Sequence, residues 1–336
     1  MNSRSFRTFL VFRRKEAVFH SGRLVRNYAV NTIGVIPLAE KVVSGPDGLK
    51  SGYHSSVLPR CGSVLGIDVG YSPTKRTTAF CCFSWDEDSL AWSHSRATAE
   101  AHSREQALEV VYAGTPFLAV AIDGPLAPGL THCSAYRTCE RLLSRGRFQK
   151  RGKPGPTHAG SGPNLHKHAT LLAEMAVACC AITPSVPRFA VSPAGIYEAF
   201  PNLFLGVLCL ERNYPVRPTK ARCWTDTLFP LVRRELDELI QASLPGRRYQ
   251  NLTQISGHET VAAFVCALTA LLALEPRCVA VGSSADGYIV LPPLSAWGLS
   301  DSGVAWAERE LNDIVSRLSA AERLVPADIV WDIASP

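Results

Sequence analysis

Two short apolar runs each end in an aspartate followed by a glycine turn: Gly66-Ile67-Asp68-Val69-Gly70 and Val120-Ala121-Ile122-Asp123-Gly124-Pro125. Runs of this length, bounded by glycine, read as strands buried on both faces, as in parallel sheets. A charged carboxylate at the end of such a strand is costly unless it is paired or metal-bound. Ligands of open α/β sheets gather at the carboxyl ends of the strands. Asp68 and Asp123 are therefore expected to converge on one cleft. The competing reading is that each simply closes an Asx turn.

The surrounding pattern is that of an α/β chain. Ser63–Asp68, Ala79–Trp85 and Ala91–Thr98 read as strands, the last two at hairpin spacing around Asp86-Glu87-Asp88-Ser89. Ser103 through Ala113 reads as a helix with Ser103 and Gln106 as a capping box. Phe117–Asp123 is the next buried strand. Helical periodicity follows at 134–144, 165–181, 202–212, 229–243 and 258–275. A short strand is expected at 195–200, another at Tyr288–Leu291, and a helix around 304–320. The expectation is one α/β domain over 61–297 with a mixed five-stranded sheet, in which strand one lies parallel to the strand ending at Asp123. A basic N-terminal extension and Gly/Ser/Pro-rich linker (1–60) would precede it, poorly ordered, and a helical tail (298–336) would follow.

Composition narrows the function classes. Hydrophobic residues are 46% and charged residues 19%, a globular balance. The net charge of +6 lies in residues 1–39, which hold seven Arg or Lys against Glu16 alone. The folded body is thus not generally basic. The Arg-rich opening resembles an organellar transit peptide, and reads equally as a disordered arm or an upstream extension. The most apolar run, Thr260–Leu274, is shorter than the ~20 residues needed to cross a bilayer, so no membrane partner is expected. Eleven cysteines without a CxxC argue against a zinc ribbon or a disulfide framework and point to a reducing, cytoplasmic setting. His132, Cys133 and Cys139 lack a fourth zinc ligand.

Two further carboxylates are candidates. Glu198 lies in the short strand that Pro201 ends, and Glu259 opens the apolar helix His258–Leu274. Residues 137–168 carry eight Arg or Lys and one acid, Glu140, with Gly and Pro spread through 146–163. That stretch is expected to be mobile, with few apolar anchors, and to follow a phosphate backbone through Arg147, Lys150 and Arg151. Its sole aromatic is Phe148.

The segments Gly66–Gly70, Ala121–Ala127, Tyr197–Pro201, His258–Leu274 and Gly287–Pro293 resemble, in this order, a widespread family of predicted RNase H-like nucleases. Arg137 and Arg141 after the second aspartate, and Lys220, are similar to that family too. The resemblance spans roughly 62–297. It implies an RNase H-like mixed sheet with flanking helices and a nuclease site of Asp68, Asp123, Glu198 and Glu259. Such a site would use Mg²⁺ or Mn²⁺, which prefer carboxylate oxygens. It also implies a nucleic-acid partner and substrate contacts from Arg137, Arg141 and Lys220. The chain departs from the H-x-x-D-A helix of related resolvases: Val261 stands three residues after His258, and the acid moves to Glu259. Two alternatives stay open. One is a nucleic-acid-binding relative that does not cleave. The other is an actin-like ATPase or sugar kinase, suggested by Gly66–Gly70 followed by Lys75.

Overall fold

The sheet grows outward from the two aspartate-bearing strands. A computed structural model describes residues 58–112, 114–182, 189–215, 224–275 and 278–321; Lys220 and nearly all of the N-terminal extension lie outside them. In chain order the elements are β1 (Gly62–Asp68), β2 (Thr78–Trp85), β3 (Leu90–Ala97), α1 (Ala101–Val111), β4 (Ala119–Asp123), α2 (Thr138–Leu143) and α3 (Gly162–Cys179). There follow β5 (Ile196–Ala199), α4 (Pro201–Leu208), α5 (Trp224–Leu228), α6 (Arg233–Ser243), α7 (His258–Ala273), β6 (Val279–Ser283), β7 (Gly287–Leu291) and α8 (Trp306–Ala320). They form an α/β fold with one mixed sheet of order β3-β2-β1-β4-β5-β7-β6. The pairs β1–β4, β4–β5 and β5–β7 are parallel; β1–β2, β2–β3 and β6–β7 are antiparallel.

Side-chain alternation along the strands sorts the core onto two faces. Val64, Phe83, Ala121 and Tyr197 pack with α5, α6 and α7 on one face. Leu65, Phe80, Ile122 and Ile196 pack with α1 and α3 on the other. α7 is apolar nearly all round and lies directly across β1. A Cβ at Gly66 would run into its backbone at Ala263 and Ala267. Glycine on the strand and alanines on the helix thus set how close the two backbones come.

The structure corrects four expectations. The sheet has seven strands, not five, and β6, a run of only five residues after Pro276, is an element the sequence reading leaves out. The proposed capping box is not formed. α1 starts at Ala101, and the Ser103 hydroxyl instead accepts the Thr98 N–H at 3.1 Å. The 146–163 stretch is anchored: Phe148 is fully buried beside Trp306, and Thr157 is fully buried on Glu140. Nor is 298–321 a tail, because α8 drives Trp306, Leu311, Ile314 and Leu318 into a third apolar cluster with Leu142, Phe148 and Val281.

If the Gly66–α7 contact sets the helix position, Gly66→Ala should lower unfolding free energy by about 3 kcal/mol, the upper range for overpacking against backbone. Gly155→Ala, in open space, should change it by less than about 0.5 kcal/mol. Urea denaturation of both variants decides this; equal effects would contradict it.

Candidate active site

The strand registers line up one transverse row on the α7 face: Arg96, Ala79, Asp68, Asp123 and Ala199. Asp68 and Asp123 are direct partners at the carboxyl ends of adjacent parallel strands. α7 begins over this end of β1, bringing Glu259 to the same face. There Arg96 forms an ion pair with Glu259 at 3.1 Å, reaching past the small Ala79. Beneath the pair, the buried Cys266 thiol of α7 is pushed well above its ordinary pKa by burial, and then by Asp123 and Asp68.

Electrostatics of the pair are unfavourable when both carboxylates are charged. Burial pushes Asp68 well above the usual carboxylate range, and the charges of Asp123 and Glu259 push it further. Burial, and then Glu198, lifts Asp123 to about 7. A hydrogen bond between the two carboxyls raises Asp68 and lowers Asp123, which puts the shared proton on Asp68. Two like charges side by side resolve their repulsion in this way. A cleft of about 440 Å³ opens beside Asp68, lined by Tyr71, Lys75, Thr77, His258 and Glu259 among others. Nδ1 of His258 and Oγ1 of Thr77 are buried with no hydrogen-bond partner among the described residues.

Glu198 lies out of this row, although it lines a second cavity, of about 230 Å³, together with Asp123. β5 pairs Ala199 with Asp123 and Glu198 with Ile122. A one-residue offset moves a strand side chain to the opposite face. Both Glu198 oxygens are taken by Arg137, at 2.6 and 2.8 Å, and the Leu126 N–H adds a third bond at 2.8 Å. Arg137 in turn donates to Glu140 at 2.8 Å, and the Glu140 carboxylate also accepts the Thr157 N–H and hydroxyl. All three charged side chains are at most 3% exposed. Arg137, expected to touch substrate, is instead the centre of a buried ion-pair network. Burial raises the Glu198 pKa, while Arg137 and the Leu126 N–H oppose the rise. Since the guanidinium meets both oxygens, the charged pair is the state at neutral pH.

The other expected contacts are scattered. Arg141 is half-buried on α2, and Lys150 is exposed. Arg147 pairs with Glu211 and Glu310. The Arg151 guanidinium lies 4.7 Å from the ring centres of both Tyr214 and Trp306. Cys139 is fully buried in the third apolar cluster, away from a zinc role with His132 and Cys133. Arg96 and Cys266 carry no sequence signal, since only the strand register and the helix contact bring them to the pair. Among the described residues, no three His, Cys, Asp or Glu side chains converge as a ready metal cage. The donor chemistry of Asp68 and Asp123 nonetheless fits a hard divalent cation, whose charge would relieve the repulsion that the shared proton now relieves.

Comparison of the chain with protein-family models, with curated proteins and with solved structures gives no match. Function must follow from the site itself.

Two substitutions in divalent-free buffer should shift stability in opposite directions. The native pKa of Asp123 (about 7) exceeds its unfolded value (near 3.8), so the native state binds more protons between these pH values and loses stability as pH rises through them. Asp123→Asn should therefore stabilise the chain by about 1–3 kcal/mol at pH 8, and by almost nothing at pH 4. Glu198→Gln should destabilise it by about 3 kcal/mol at pH 8, because Arg137 loses a buried partner. Urea melts at both pH values read the signs; a stabilising Glu198→Gln would mean that the ion pair is not the structural tie described.

Proposed function

We propose that the chain is an RNase H-like, metal-dependent phosphodiester hydrolase acting on nucleic acid, with Asp68 and Asp123 as its cation-holding pair. The observation that carries the proposal is their in-register pairing at the ends of β1 and β4, where both are buried and Asp123 raises the cost of ionising Asp68. The strand order β3-β2-β1-β4-β5, with three antiparallel strands followed by parallel ones, supports the fold half of the reading. β7 and β6 extend the sheet beyond it.

A bound Mg²⁺ or Mn²⁺, held by Asp68 and Asp123, would supply the positive charge that phosphodiester displacement requires. The chain's own residues would do the rest. Lys75 lies in the cleft beside Asp68 and can orient a phosphate oxygen. His258 lines the same cleft, and its buried Nδ1 has no hydrogen-bond partner among the described residues. Arg96 holds Glu259 in an ion pair and is itself exposed enough to meet a phosphate. Asp68, Asp123 and Glu259 would form the acidic set, with Glu198, held by Arg137, bordering Asp123 in an adjoining cavity.

A second reading, nucleic-acid binding without cleavage, draws on the same commitment of Glu198 and Glu259 to arginines. One assay series separates the two. Hydrolysis should appear with Mn²⁺ or Mg²⁺ on labelled DNA or RNA strands and stop with a chelator. In Asp68→Asn it should fall by about 100-fold or more, since loss of outer-shell support alone costs about 10–100-fold. Metal-independent cleavage, or full activity in Asp68→Asn, would overturn the proposal. ATP turnover with no effect on nucleic acid would favour the actin-like alternative.

A further inference from the structure

The cleft beside Asp68 carries an aromatic feature that hydrolysis of a phosphodiester does not require. Tyr71, directly after the Gly70 turn, lines this cleft and is 44% exposed. Its ring is stacked on His168 of α3, with centres 6.1 Å apart and planes 19° from parallel.

The mounting beneath it is unusually firm for an exposed loop. The Gly70 carbonyl accepts from the Thr78 hydroxyl at 2.9 Å and from the Arg104 guanidinium at 2.7 Å. Arg104 is 4% exposed, and the same nitrogen reaches Nδ1 of His168 at 3.2 Å. An arginine can only donate, so that Nδ1 is the acceptor and the ring is neutral. Burial, and then Arg104 and Lys167, hold the His168 pKa below its ordinary value, which keeps it neutral at physiological pH. Ser72 closes the turn: its carbonyl accepts the Ala99 N–H at 2.8 Å and its hydroxyl the Lys75 N–H at 3.0 Å. A side chain at Gly70 would collide with the Thr77 backbone, so the turn cannot be loosened at that point. The chain thus orders a large, partly wet aromatic ring and braces it with a buried arginine. Lys75, four residues on, lines the same cleft.

A fixed ring and a cation, in a cleft that Asp68 and Glu259 also line, match the chemistry of one nucleotide: a flat π-face for the base and a positive charge for its phosphate. We propose that Tyr71, braced by His168 and Arg104, is a stacking platform for an unpaired nucleobase, so that the preferred substrate is a single-stranded segment. A base still paired in a duplex has both faces covered and cannot use the platform. This rests on the nucleic-acid reading of the site and specifies its substrate class.

The test uses the full chain carrying Asp68→Asn, so that cleavage does not intrude. Fluorescence anisotropy measures its affinity for a short oligo-dT strand and for the same backbone made wholly of abasic sites. Tyr71→Ala in that background should weaken oligo-dT binding by about 10-fold, within the range for loss of one stacked base, and leave the abasic strand unaffected. Tyr71→Phe should bind oligo-dT as Tyr71 does, and its thermal melt checks that the turn still folds. Equal binding of both strands, with no effect of Tyr71→Ala, would overturn the platform and leave the hydrolase reading standing. A folded protein that binds neither strand would overturn both.

Discussion

The pairing of β1 with β4 is the constraint on which the rest depends. It is parallel and in register, so two aspartates that end separate apolar runs become neighbours. Burial opposes the ionisation of both, the charge of Asp123 opposes that of Asp68, and a proton shared between them relieves the repulsion. Everything around them either keeps that arrangement or exploits it. α7 fits tightly on Gly66, which brings Glu259 over the row, and Ala79 leaves Arg96 room to reach it. The carboxylate pair therefore stands at the junction of sheet and helix, where neither can shift without the other.

The two faces of the same strand ends handle negative charge differently. On the α7 face the acids are only partly compensated, by Arg96, and Asp68 and Glu259 border an open cleft. On the opposite face Glu198 and Glu140 are fully buried and matched by Arg137, by backbone N–H groups and by Thr157. The first arrangement retains unsatisfied charge next to solvent, which is what a cation or a phosphate needs. The second is a tie between β5, α2 and the 146–163 stretch, and Glu198 and Arg137 still line a cavity of about 230 Å³ that Asp123 shares. Glu198 belongs to the ion-pair network and also borders Asp123, whose pKa its charge raises.

Much of this was legible in the sequence where the signal is local. The β1 and β4 runs, with glycine after each aspartate, mark buried strands and their ends, and the parallel neighbourhood of Asp68 and Asp123 followed from them. Glu259 was visible as the acid at the start of an apolar helix. What escaped depended on register or on long-range partners. Glu198 sits one residue out of step with Asp123, and no composition signal reports a one-residue offset between distant strands. Arg137 looked like a phosphate ligand because a basic stretch surrounds it, whereas burial turned it inward to Glu198. Arg147 and Arg151 likewise found Glu211, Tyr214 and Trp306, partners 60 or more residues away. Tyr71 gave no signal at all, since a single tyrosine after a glycine becomes a platform only through Arg104 and His168.

The central claim is that Asp68 and Asp123 exchange a shared proton for a divalent cation. Calorimetric titration of Mn²⁺ at pH 6, in buffers of different ionisation enthalpy, counts the protons released per ion bound. Asp123 titrates near 7 and Asp68 well above its usual range, so each cation should displace at least one proton at pH 6, and fewer as pH rises. Asp68→Asn should abolish both the binding and the release. Binding without proton release, or undiminished binding in Asp68→Asn, would contradict the account.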